Sequence, residues 1–89
     1  MVKKRGRLEI IRDILGIINK KKNIGPTRIL HSSNLSPQMF NEYLSELLNK
    51  NFVVVSKEKK RKSYSLTRKG AEFLNEYLTI EKVIKNFGL

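Results

Sequence analysis

Lys57, Lys59, Lys60, Arg61 and Lys62 crowd five cations into six consecutive residues, with Glu58 the only acid among them. Ammonium and guanidinium groups at that density suit one chemistry above others. They neutralise a row of phosphates and release the counterions condensed there. A second set differs in kind. Gln38, Asn41 and Ser45 lie three and four positions apart, so on a helix they share one face. Carboxamides and hydroxyls both donate and accept, which is what hydrogen bonding to base edges requires. Ser36, just ahead of them, caps their helix and is a further candidate contact. Arg28 can be read two ways. It either meets a phosphate at the positive end of a helix or pairs with a carboxylate of the first helix. The basic residues at the start, Lys3, Lys4, Arg5 and Arg7, read as an arm over residues 1–7. That arm is either solvated or reaches along a groove.

Other chemistry finds little to work with. His31 is the single histidine, and there is no cysteine, so no metal site has enough ligands. Glu9 and Asp13 are four apart on one helix face and do not flank a pocket. Gly25-Pro26-Thr27 lacks the Gly-Lys-Ser/Thr that a phosphate-cradling loop needs. The expectation is a binding protein with no catalytic residues, no metal, no cofactor and no small-molecule ligand.

The elements that must position these residues follow from periodicity and punctuation. Leu8, Ile11, Ile14, Leu15 and Ile18 give an apolar stripe over residues 8–22, widened by Ile10 and Ile17. Lys20-Lys21-Lys22 suit the negative end of that helix. Asn23-Ile24-Gly25 ends it and offers a single strand-like pairing. Gly25-Pro26 opens a short second helix over 26–33, with Ile29 and Leu30 inward. Ser33-Asn34-Leu35 forms the turn. Ser36-Pro37 starts a third helix running to about residue 50, with Phe40, Tyr43, Leu44, Leu47 and Leu48 inward. Glu42 and Glu46 sit on its polar side, Glu46 four residues before Lys50.

Residues 52–57 and 63–66 read as two strands, with Tyr64 and Leu66 inward. The connection at 58–62 lacks the Gly, Asn or Pro that would specify a turn type. Thr67 caps a last helix over 68–87. On it, Phe73, Tyr77, Ile80, Ile84 and Phe87 recur at alternating steps of four and three, the spacing of a two-helix seam. Leu74 and Leu78 lie beside that seam and face the chain's own core with Ala71. Helix, helix, turn, helix, hairpin with a basic tip, helix is the order of a winged helix-turn-helix. The class is mainly α with a small β component. The divisions are a basic arm over 1–7, a winged domain over 8–66 and a dimerisation helix over 67–89.

Bulk properties agree. At 89 residues the chain is one domain with a marginal core, and without cysteine it has no disulfides to support it. Oligomerisation is the remaining source of stability. A formal charge of +11 favours a polyanionic partner. No apolar run is long enough to span a membrane, so no membrane role is expected. The lack of cysteine fits a cytoplasmic protein, here one associated with the nucleoid.

Two stretches carry a family resemblance. One is Pro26-Thr27-Arg28-Ile29-Leu30 followed by Asn34-Leu35-Ser36. The other is Tyr64-Ser65-Leu66-Thr67-Arg68-Lys69-Gly70 leading into Phe73-Leu74. With Leu8-Glu9-Ile10-Ile11, the chain resembles the archaeal dimeric winged-helix family typified by the small basic ten-kilodalton DNA-binding protein of Sulfolobus. The resemblance implies a chromatin protein or transcription regulator whose last helices pair as an antiparallel coiled coil. This chain's last helix holds about 20 residues, roughly 30 Å, where the family helix is often longer.

The expectation is therefore a homodimer on double-stranded DNA. Its third helix enters the major groove and its basic wing lies on the backbone or in the minor groove. The alternative is a winged helix serving RNA, ribosome or protein contact. An RNA reader would need exposed aromatic rings for stacking. The seven aromatics here all fall at core or seam positions.

Overall fold

The computed structural model describes residues 5–89, so Lys3 and Lys4 of the basic arm lie outside the described residues. The elements are α1 (Arg7–Lys21), α2 (Pro26–Ser33), α3 (Pro37–Asn49), β1 (Val53–Glu58), β2 (Arg61–Leu66) and α4 (Arg68–Asn86). This is the expected winged helix-turn-helix, with element ends shifted by one or two residues.

The two predicted caps form. Ser36 Oγ accepts from the Met39 N–H at 3.2 Å, and Thr67 Oγ1 accepts from the Gly70 N–H at 3.0 Å. Each satisfies a donor that the first turn of a helix cannot pair internally. The core gathers Ile10, Ile11, Ile14, Leu15 and Ile18 of α1 with Ile29, Phe40, Leu44, Leu47, Val53, Tyr64 and Leu74. One helix face thus serves every other element, as the wide stripe of α1 implies. Leu8 departs from that stripe and is 52% exposed, at the rim of an open cleft it lines with Tyr77, Ile84 and Leu89.

The strands pair antiparallel from Val53↔Leu66 to Glu58↔Arg61. Ile24 adds a one-residue bridge on the far side of β2, with the Tyr64 N–H donating to its carbonyl at 2.9 Å. This is the strand-like pairing anticipated for Asn23-Ile24-Gly25, and it fastens the α1–α2 loop to the base of the hairpin. Burial pushes the Tyr64 phenol above its usual range.

Charge pairs complete the frame. Arg5 donates to Asp13 at 2.8 Å and to the Ser33 carbonyl at 2.8 Å. Arg12 joins Asp13 at 2.8 Å and also reaches Glu81 on α4. Arg7 and Lys50 both hold Glu46, Lys50 at 2.8 Å. Hydrogen bonds from Arg7 and Lys50 keep the Glu46 carboxyl at about 2, far below the ordinary carboxylate range. Arg5 and Arg7, read from the sequence as arm residues, are thus tied into the fold, and Arg7 begins α1.

Candidate nucleic-acid interface

The hairpin tip is built from an unexpected turn. Glu58 pairs with Arg61, which leaves Lys59 and Lys60 as a two-residue connection. Their φ values are 45° and 69°. Two positive φ angles are what a type I′ turn demands, and Asn-Gly is the favoured filling. Lysine in that region is sterically costly. The tip therefore carries cations where uncharged residues would fit the backbone better.

Lys57, Lys59, Lys60, Arg61 and Lys62 are all exposed, and none pairs with a carboxylate among the described residues. Most acids are engaged elsewhere: Asp13, Glu46, Glu72 and Glu81 by cations of the helices, and Glu9 by the Gly6 N–H at 2.9 Å. Apart from Glu58, which forms no ion pair among the described residues, the wing is thus left with its positive charge uncompensated.

Arg28 stands in the first turn of α2, exposed and likewise free of any carboxylate among the described residues. The ion pair to a helix-one carboxylate, one of its two readings, does not form. Arg28 lines a cleft with Pro26, Thr27, Lys60, Arg61 and Lys62. Gly25 caps this helix without a side-chain bond, and Pro26 has no N–H to leave unpaired. The first turn of α2 thus faces the wing across an electropositive cleft.

On α3, Gln38, Asn41, Glu42, Ser45 and Asn49 are exposed, opposite buried Phe40, Leu44 and Leu47. Tyr43 and Leu48, expected inward, are half-buried at the edges of that stripe. Ser36 is exposed, and one lone pair of its oxygen is taken by the cap, which leaves its hydroxyl hydrogen and a second lone pair for a ligand. Met39, 41% exposed, stands next to Gln38 and was not singled out by periodicity. Its one sequence signal is an apolar residue falling outside the buried stripe. The surface combines an amide-bearing helix face, a helix N-terminus and a cationic hairpin. That set can grip a polyanion through charge and read polar edges through amides.

The dimer-seam residues divide. Phe73 packs within the chain, its ring 5.4 Å from Phe52 and 5.9 Å from Tyr77. Ile80, Ile84 and Phe87 are 57%, 45% and 78% exposed. Leu78, expected to face the core beside Leu74, is 46% exposed and lines an open cleft with Arg12, Ile17 and Leu74. Among the described residues no group of three or more His, Cys, Asp or Glu comes together to hold a metal, and no helix is long and apolar enough to cross a membrane.

Residues 4–85 match a family model described as winged helix-turn-helix. Among solved structures the chain is similar to Sso10a-2, a DNA-binding protein from Sulfolobus solfataricus. The identity is 26% and the TM-score 0.72, over 94% of this chain and 90% of that one. It is also similar to F-93 of SSV1, at 20% identity and TM-score 0.70, over 89% and 88% of the two chains. MepR, a transcription regulator of the Staphylococcus aureus multidrug efflux pump MepA, shares the fold at 15% identity and TM-score 0.79. There the match covers 88% of this chain and 60% of MepR. No curated protein sequence matches the chain.

Proposed function

The chain belongs to the winged helix-turn-helix family, and from that premise we propose that it is a transcription regulator or nucleoid protein that binds double-stranded DNA as a homodimer. The observation that carries this reading is the uncompensated charge of the wing beside the exposed amide face of α3. Cations that no carboxylate satisfies gain most from a phosphate backbone. The amides of α3 then meet base edges in the major groove, while the wing lies along the backbone or in the minor groove. The description of Sso10a-2 as a DNA-binding protein supports this reading. Exposed aromatic rings, which single-stranded RNA would stack on, are lacking on this face; among the described aromatics only Phe87, on α4, is fully exposed.

The direct test is a duplex titration at several salt concentrations. Affinity should fall steeply with salt, by about 0.9 log units per log unit of salt for each phosphate contact. A salt-independent affinity, or none, would sink the reading. Base readout is tested separately. Gln38→Ala and Asn41→Ala should weaken a selected site more than random duplex, by roughly 1–3 kcal/mol for a good bidentate amide contact. Equal losses on both would make these residues positioning groups and favour the nucleoid role.

The homodimer is supported by the apolar surface of α4. Ile80, Val83, Ile84 and Phe87 are exposed along one side. Leu8, Tyr77, Ile84 and Leu89 line one cleft where the start of α1 passes the end of α4. A second copy of α4 lying antiparallel covers both. Sedimentation equilibrium checks this. The parent chain should be dimeric at micromolar concentration, and Ile80→Glu/Ile84→Glu monomeric with weakened DNA binding. A monomeric parent would refute the pairing.

A further inference from the structure

Among the described residues, six other than glycine have positive φ: three asparagines, Asn23, Asn34 and Asn51, and three lysines, Lys22, Lys59 and Lys60. Asparagine tolerates that region better than lysine does. Two of the lysines form the wing tip. The third, Lys22, closes α1 at φ 46° and ψ 134°. Glycine is the residue that fits a left-handed position just past a helix. Attraction to the helix dipole explains cations in the last turn, where Lys20 and Lys21 already stand. It does not explain a lysine held in a strained conformation one residue further on. Backbone strain of this kind persists where the surroundings impose it, and it gathers at functional sites.

The position of Lys22 supplies the function. Ile24 is bridged to Tyr64, so the loop it belongs to is tied to the base of the wing. Asn23 lines one cleft with Lys59 and Arg61, and a second with Arg28, Lys60 and Lys62. Lys21 and Lys22 are exposed and unpaired among the described residues. Asn23, next in the chain to Lys22, thus joins the end of α1 to the basic wing, with Glu58 the one acid lining these clefts.

We propose that Lys21 and Lys22 form a third backbone contact, a phosphate track that continues the wing and engages the duplex flanking the segment held by α3. The inference rests on the DNA-binding reading given above. Its distinguishing property is an opposition of signs. Removing the Lys22 side chain relieves strain, so it should stabilise the protein while weakening its hold on DNA.

Lys22→Gly is the informative variant, measured by thermal unfolding and by duplex titration across salt. The melting temperature should rise and the salt slope should fall by about 0.9 for each chain bound. Lys21→Ala/Lys22→Gly should lose about twice that slope, together with the protection of flanking sugars in a hydroxyl-radical footprint. Lys22→Arg should keep the affinity of the parent. Lys82→Ala on α4 removes the same charge away from the track and should leave the slope unchanged. A Lys22→Gly protein with the parent's slope and footprint would overturn the track while leaving DNA binding intact. A parent that binds no duplex would overturn the reading beneath it. An equal loss of slope in Lys82→Ala would reduce the effect to net charge and also overturn the track.

Discussion

Gly70→Ala is expected to destabilise the fold by about 3 kcal/mol or more, at or above the upper end of the range for overpacking. A methyl at Gly70 would lie 2.0 Å from the Phe52 carbonyl oxygen and 3.0 Å from its carbon. These are backbone atoms, and they cannot swing aside. The same carbonyl accepts from the Thr67 N–H at 3.1 Å, so the cap of α4 depends on its position. Thr67 also donates to the Asn51 carbonyl, and Lys69 Nζ reaches the Lys50 carbonyl at 2.9 Å. To make room, α4 must lift from Phe52, at the entry to β1, and strain all of these bonds together. The sign is diagnostic, because Gly→Ala within a helix ordinarily stabilises by about 0.5–1 kcal/mol. Gly16 provides that contrast, since nothing lies within 4 Å of a methyl there. Urea unfolding should give opposite shifts for Gly16→Ala and Gly70→Ala. If Gly70→Ala also proved stabilising, α4 would not be seated on the hairpin as described.

The second large effect is on binding. Lys59→Ala/Lys60→Ala/Arg61→Ala/Lys62→Ala should cost about 10³-fold in duplex affinity near 0.1 M salt if all four cations meet phosphates. The salt slope should fall by about 3.6 for each chain bound, at about 0.9 per contact. The loss should be the same for every duplex, because phosphates carry no sequence information. Stability should barely change. These side chains are exposed and unpaired, and alanine suffers the same left-handed strain at positions 59 and 60. A companion variant separates charge from backbone. Lys59→Asn/Lys60→Gly places the preferred type I′ residues in the tip, so it should raise the melting temperature and still weaken binding. An unchanged affinity at low salt in the quadruple variant would remove the wing from the mechanism.

Both effects bear on how much could be read from residues alone. Element order was legible because it rests on local signals. The apolar stripe of α1, the Ser36-Pro37 and Thr67 caps, and the alternation around Tyr64 each depend on neighbours within a few residues. The same local logic separated the amide face of α3 from its buried face, and it marked the Ile24 pairing. The Leu-Thr-Arg-Lys-Gly ending was recognisable, yet nothing in it shows why glycine is needed. That reason is a carbonyl 18 residues earlier in the chain, brought to van der Waals distance only by packing.

Tertiary structure decided the remainder. It tied Arg5 and Arg7 to acids of other segments, because a guanidinium selects its partner by distance in space. It left Arg28 unpaired and turned it toward the wing. It exposed Leu8 and Leu78, which a helical wheel assigns inward, because each borders an open cleft between α1 and α4. It placed lysines at positive φ in the wing tip and at the end of α1, where local preference calls for glycine or asparagine. Sequence periodicity determines which residues share a face. Only the assembled fold determines what that face meets, because hydrogen bonds, ion pairs and steric contacts form between atoms that are near in space and far apart in the chain.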